Sequence, residues 1–157
     1  MRIFSLLLLI SLLSGCGTTP MVYESNPVPV EDAPMIIDRM VMTQHRAWKP
    51  DNFVMTEHYF GWGFGTYSTG TISSRVVYAR TSSTTKDVAE RVYYDEIADV
   101  KLLDWTRKFK QWYVVTLYRN DGSQIKHVLR TRSLQDAQLL VDALNTYLDS
   151  LPSKVRT

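Results

Sequence analysis

Cys16, His45, His58 and His127 are the side chains of this 157-residue chain with the widest chemical repertoire, as nucleophile, metal ligand or proton carrier. Their spacing withholds most of that repertoire. A lone cysteine cannot form a bridge within its own chain, and one thiol with three scattered histidines lacks the close ligand pairs from which zinc sites are built. Asp95 and Glu96 are neighbours, as are Glu57 and His58, so on a strand each pair points to opposite faces and cannot act as a coupled acid and base. No G-x-S-x-G, H-E-x-x-H or phosphate-binding glycine loop is present. The three histidines are therefore expected on surfaces or interfaces. The chain reads as a protein without catalysis of its own and without a cofactor.

The elements around these residues say more. Arg2 precedes an apolar run from Ile3 to Leu13, in which only Ser5 and Ser11 are not strongly apolar, and the run ends in small residues just ahead of the cysteine. It has the length of a signal-peptide core and falls short of the roughly 20 residues that span a bilayer. Leu13, Ser14, Gly15 and Cys16 resemble the lipobox of bacterial lipoproteins. The resemblance implies that residues 1–15 are removed and that Cys16 is diacylated on sulfur and acylated on nitrogen. The protein then meets its first partner, the membrane, through acyl chains. Several chains hold well where one holds marginally, because each buried CH₂ contributes about 0.8 kcal/mol. Gly17, standing where an Asp tends to retain such proteins in the inner membrane, implies transfer to the outer membrane, facing the periplasm. The inner membrane is the alternative.

Charge excludes another class of partner. The chain carries 18 basic and 16 acidic residues, and loss of Arg2 with the leader leaves 17 and 16. A net charge this close to zero is no footprint for nucleic acid. The distribution is uneven, with 8 basic and 12 acidic residues from Cys16 to Asp104 and 9 and 4 from Trp105 to Thr157. Two solvated faces explain this as simply as steering of an anionic partner.

Residues 16–34 hold prolines at 20, 27, 29 and 34 and are expected as an extended tether reaching about 50 Å, at roughly 3 Å per residue. Residues 35–50 place Ile36, Ile37, Met40, Val41 and Gln44 at helical spacing behind a candidate cap, Asp32, so a short helix is expected, with a strand as the alternative. From residue 51 to 152 a β-rich domain is expected. "NFVMTEHYF", "TYSTGTI" and "RVVYART" read as strands of a meander. "YFGWGFG", Tyr59–Gly65, reads as a bend or bulge between the first two, with Trp62 and Phe64 either filling the core of a kinked strand or forming an exposed aromatic platform. "DEIADVKLL" is a further strand, and "QWYVVTLYR" and "SQIKHVLRT" form a hairpin about Asp121 and Gly122. Ser133 caps a helix over 133–151, with Asp136 in its first turn and Ala137, Leu140, Val141, Leu144, Leu148 and Leu151 on one stripe. Residues 153–157 are a tail.

These elements make an α+β fold, an antiparallel β-rich small barrel or curled sheet of about seven strands with a C-terminal amphipathic helix. From Tyr93 to Leu151, "YYDEIADV", the glycine-turn hairpin and "SLQDAQLLVDALNTYL" resemble bacterial pleckstrin-homology-like domains, a class that serves as a binding platform. The early segment Thr66–Arg75 has one basic residue, so the headgroup-binding loop of that class does not carry over. The concentrated cations are Arg107, Lys108 and Lys110 around Phe109, either a patch for anionic lipid or an acidic partner, or a solubilising loop. The expected function is that of a membrane-anchored periplasmic module with an envelope protein as partner. The alternative is a hydrolase or ligand-binding protein acting on envelope glycan or lipid. Cys16→Ser is expected to abolish incorporation of labelled fatty acid, and persistent labelling would rule out the anchor.

Overall fold

Short-range chemistry accounts for most of the elements: β1 Thr18–Pro20, α1 Ala33–Thr43, β2 Asn52–Met55, β3 Tyr59–Ser73, β4 Arg80–Tyr93, β5 Asp99–Arg107, β6 Lys110–Tyr118, β7 Gln124–Thr131 and α2 Leu134–Ser150. The structure, a computed structural model, describes residues 18–73, 80–107 and 110–152, without the side chains of 65–73, 80–89 and 107. Ser133 Oγ accepts from the Asp136 amide at 3.1 Å and starts α2 as its sequence predicts. α1 begins with Pro34 in its first turn, while Asp32 makes no side-chain cap bond. Gly122, at φ 79°, turns β6 into β7, and Asp121 Oδ1 accepts from the Ser123 amide.

Two helices and seven strands in two antiparallel sheets make this an α+β protein. One sheet runs β1-β5-β6-β7, the other β2-β3-β4. Among the described residues no strand of one sheet pairs with a strand of the other, so there is no closed barrel, and the expected small barrel or curled sheet is replaced by two separate sheets. The reason is visible at the free edge of β7. There the Gln44 side chain, at the end of α1, donates to the Val128 carbonyl at 3.2 Å and occupies a backbone position that a closing strand would need.

The joint expected at "YFGWGFG" lies inside β3. The preceding turn comes earlier, at Thr56–His58, where Thr56 Oγ1 accepts from the amides of both His58 and Tyr59. Gly61 and Gly63 pair with Val54 and Asn52 on β2. A Cβ on Gly63 would come within 1.8 Å of Asn52 Oδ1, and one on Gly61 within 2.8 Å of Val54 Cγ2. These glycines let β2 side chains cross a bare backbone, and the register slips between Gly63 and Thr66 as a bulge.

α2 buries Ala137, Leu140, Val141, Leu144 and Leu148. The stripe meets Ile37 and Val41 of α1, Leu102, Val115, Leu117 and Leu129 of the four-stranded sheet, and Phe60 and Trp62 of β3 in one core. Each such side chain contributes on the order of 1.5–3 kcal/mol by leaving water. Tyr94 is buried with them, its hydroxyl donating to the Thr56 carbonyl at 2.9 Å. Burial pushes that phenol well above its ordinary pKa.

The N-terminal segment departs from the free tether expected over 16–34. Thr18, Thr19 and Pro20 pair with Trp105, Asp104 and Leu103, and the Met21 amide donates to the Leu102 carbonyl. Asp142 of α2, 7 % exposed, then gathers the chain, accepting from the Tyr23 hydroxyl, the Ser25 hydroxyl and the Asn26 amide at 2.8–3.1 Å. The Val28 amide donates to Thr146 Oγ1. A buried carboxylate needs such donors, and the proline-rich segment supplies them. Asp142→Ala is expected to lower stability by about 2 kcal/mol and to speed amide exchange over residues 21–28, measured by denaturation and hydrogen exchange. Unchanged protection there would show that the segment holds on without Asp142.

Candidate binding site

β7, an edge strand of the four-stranded sheet, mixes buried residues with charged ones. Lys126, His127 and Arg130 stand beside buried Val128 and Leu129. Together with Gln44, Ala47 and Trp48 after α1, and Trp62 and Phe64 of β3, they line a cavity of about 220 Å³ in the gap between the two sheets.

Each wall has a local cause. At the end of α1 the amides of Trp48 and Lys49 donate to the His45 carbonyl, and the Ala47 amide to His45 Nδ1, a turn that presents the Trp48 ring. That ring meets Trp112 edge-on, with centroids 4.9 Å apart, and leans on Trp105 at 6.1 Å. The Arg130 guanidinium lies 5.2 Å from the Trp48 centroid. On the other wall Lys126 Nζ lies 4.9 Å from the Trp62 centroid and 5.4 Å from that of Phe64 while pairing with Glu90. Cation-over-ring contacts of this kind stabilise by roughly 0.5–2 kcal/mol, more where water is excluded.

Beside the cavity two donor atoms, Trp62 Nε1 and Arg130 Nε, are buried without a hydrogen-bond partner among the described residues. A buried donor left so costs about 1–3 kcal/mol. Burial also lowers the Arg130 pKa from its ordinary value, the mark of a cation short of solvation. Burial, then the positive Arg130 and Lys126, lowers His127 to about 4, so this imidazole is neutral at physiological pH. Its Nδ1 lies 2.7 Å from Thr116 Oγ1. The pair has the look of a nucleophile with its base, but Thr116 has no exposed surface and a substrate cannot reach it. What the site offers is donors, positive charge and ring faces. A complementary ligand brings acceptors, negative charge and a flat or apolar body.

Trp62 and Phe64 are thus brought together with cations that sequence reasoning did not associate with them. Trp62, 2 % exposed, is a core residue whose edge lines the cavity, so it forms no exposed platform; Phe64 is half-buried. Arg107 and Lys110 end β5 and begin β6, and Lys110 does not line the cavity. Lys110 is exposed, while the Arg107 side chain, Lys108 and Cys16 lie outside what is described. His58 is exposed beside Glu57 in a separate groove with Tyr147 and Pro152. Among the described residues no cluster of three or more His, Cys, Asp or Glu could hold a metal ion. Trp48, Lys126 and Arg130 were missed. The legible signal was "KHVLR", cations alternating with core residues on a strand that the hairpin had already identified.

The class defined by these features is an α+β protein with an aromatic and basic cleft between its sheets. No family model matches the chain, and neither a curated protein nor a solved structure was found to be similar to it.

His127 makes the site pH-sensitive. In the unfolded chain it takes up a proton near 6.5, in the folded protein only near 4. Stability is therefore intact above pH 6.5 and lost as pH falls from 6.5 to 4, by on the order of 1–2 kcal/mol after discounting for the half-exposed ring. His127→Gln is expected to flatten that stretch of a stability profile measured by denaturant unfolding. An unaltered slope would assign the dependence to other groups.

Proposed function

We propose that the chain is a lipid-anchored, non-catalytic binding module of the bacterial cell envelope. Cys16 carries the acyl chains, and the domain works at the periplasmic face of the outer membrane. Its ligand is an anionic group on an aromatic or apolar body, presented by an envelope protein and held in the cleft between the sheets. The lipobox residues Leu13–Cys16 and the absence, among the described residues, of a helix long and apolar enough to cross a membrane support anchoring by lipid. Two antiparallel sheets with a C-terminal helix over their apolar faces support the pleckstrin-homology-like likeness of the second half, an open relative of the small barrel.

The observation that carries the binding reading is the convergence of two cations, Lys126 and Arg130, with the rings of Trp48, Trp62 and Phe64 on one cavity. The test follows the indole N–H signal of Trp62 by NMR while N-acetylphenylalanine, its amide and inorganic phosphate are titrated in turn. The carboxylate is expected to move that signal and the neutral amide not to. Lys126→Ala is expected to weaken binding about tenfold or more, the worth of one charge-assisted hydrogen bond. A signal that no anion moves would refute the site.

A further inference from the structure

The acyl anchor and the first docked residue are almost adjacent, and this decides how the domain faces the membrane. Thr18 already pairs with Trp105. The two-residue step from Cys16 to Thr18 spans at most about 7 Å. β1 runs antiparallel to β5, from Thr18 opposite Trp105 to Pro20 opposite Leu103, so Thr18 is the residue of β1 nearest the end of the sheet where β5 finishes at Arg107 and β6 starts at Lys110. Acyl chains on Cys16 therefore enter the bilayer beside that end, with no slack to hold the domain away.

The same end has the composition of a membrane-facing surface. Trp105 and Trp112 are cross-strand partners, both half-buried, and Trp48 packs against both rings. The Arg132 guanidinium lies 5.1 Å from the Trp112 centroid. Lys110 and Arg132 are exposed, as are Arg46 and Lys49 in the turn that carries Trp48. Asp104, the acid that β5 contributes here, is engaged through Oδ2 by Gln111. Tryptophan rings favour the headgroup layer, and each cation held against an anionic leaflet contributes about 1 kcal/mol. Anchor and patch thus act on the same side of the domain.

We propose that this end of the four-stranded sheet, marked by Trp105, Trp112, Lys110 and Arg132, lies against anionic phospholipid, so that the domain is apposed to the bilayer instead of extending from it on a tether. The inference rests on acylation of Cys16, and it deepens the anchored reading by giving the domain one orientation. The β6–β7 turn, at the far end of β6, then points away from the membrane by roughly 30 Å, at 3.4 Å per strand residue.

The test uses the full mature chain in vesicles of phosphatidylglycerol and phosphatidylcholine. Cys16 is the one cysteine of the sequence, and acylation blocks it, so Lys110→Cys or Asp121→Cys introduces a single free thiol. A water-soluble maleimide is expected to react at least tenfold more slowly at position 110 than at 121. In detergent the two rates should converge. Equal rates in the vesicles, with acyl mass present on the N-terminal peptide, would overturn apposition and leave the anchor standing. Equal protection of position 110 in pure phosphatidylcholine would overturn the assignment to an anionic surface. An N-terminal peptide without acyl mass would overturn the anchor and this inference together.

Discussion

Everything in this fold depends on covering one apolar stripe. Ala137, Leu140, Val141, Leu144 and Leu148 run the length of α2, and a single sheet face cannot enclose a helix that is apolar across so wide an arc. The stripe draws in both sheets and α1, and Ile37, Val41, Phe60 and Trp62 reach the same core as Val115 and Leu129. Because the helix sits where the sheets converge, it holds them close without requiring their strands to pair. The gap that remains beside β7 is a consequence of that arrangement, and the cleft occupies it.

The cleft also shows how a fold keeps donors unpaired. Gln44 satisfies the Val128 carbonyl and blunts the β7 edge, while Trp48 is held on Trp105 and Trp112 by ring contacts that do not involve the cavity's own donors. Lys126 is oriented by Glu90 and by the faces of Trp62 and Phe64. The walls are thus fixed by interactions that leave the Trp62 indole N–H and Arg130 Nε unsatisfied. A preformed site of this kind forgoes stability in the free protein and loses little conformational freedom when occupied.

Local chemistry was well expressed in the sequence. The period of three and four in "SLQDAQLLVDALNTYL", the Ser133 cap and the glycine turn at Asp121–Gly122 are settled within a few residues of one another, and all appear in the structure. The α+β class followed from them. The bend or bulge expected at "YFGWGFG" appears as a bulge inside β3 instead of a joint between strands, because Gly61 and Gly63 make room for Val54 and Asn52 of the neighbouring strand. That reason exists only between strands.

The sequence by itself determined the helices, the three strands β5–β7 with their hairpin, and the lipobox pattern at Cys16, since each follows from side-chain type and short-range spacing. Tertiary structure alone decided three things. The proline-rich segment lies along α2 because Asp142, more than 110 residues away, is buried and needs its donors. The β7 edge is covered by Gln44, whose side chain donates to the Val128 carbonyl 84 residues on. Trp62, expected in a platform or in the core, became a core residue with one edge on a charged cleft because Lys126 and Arg130 arrive there from another sheet. Contacts at such separations depend on the whole path of the chain, and periodicity, which reports a few neighbours at a time, carries no record of it.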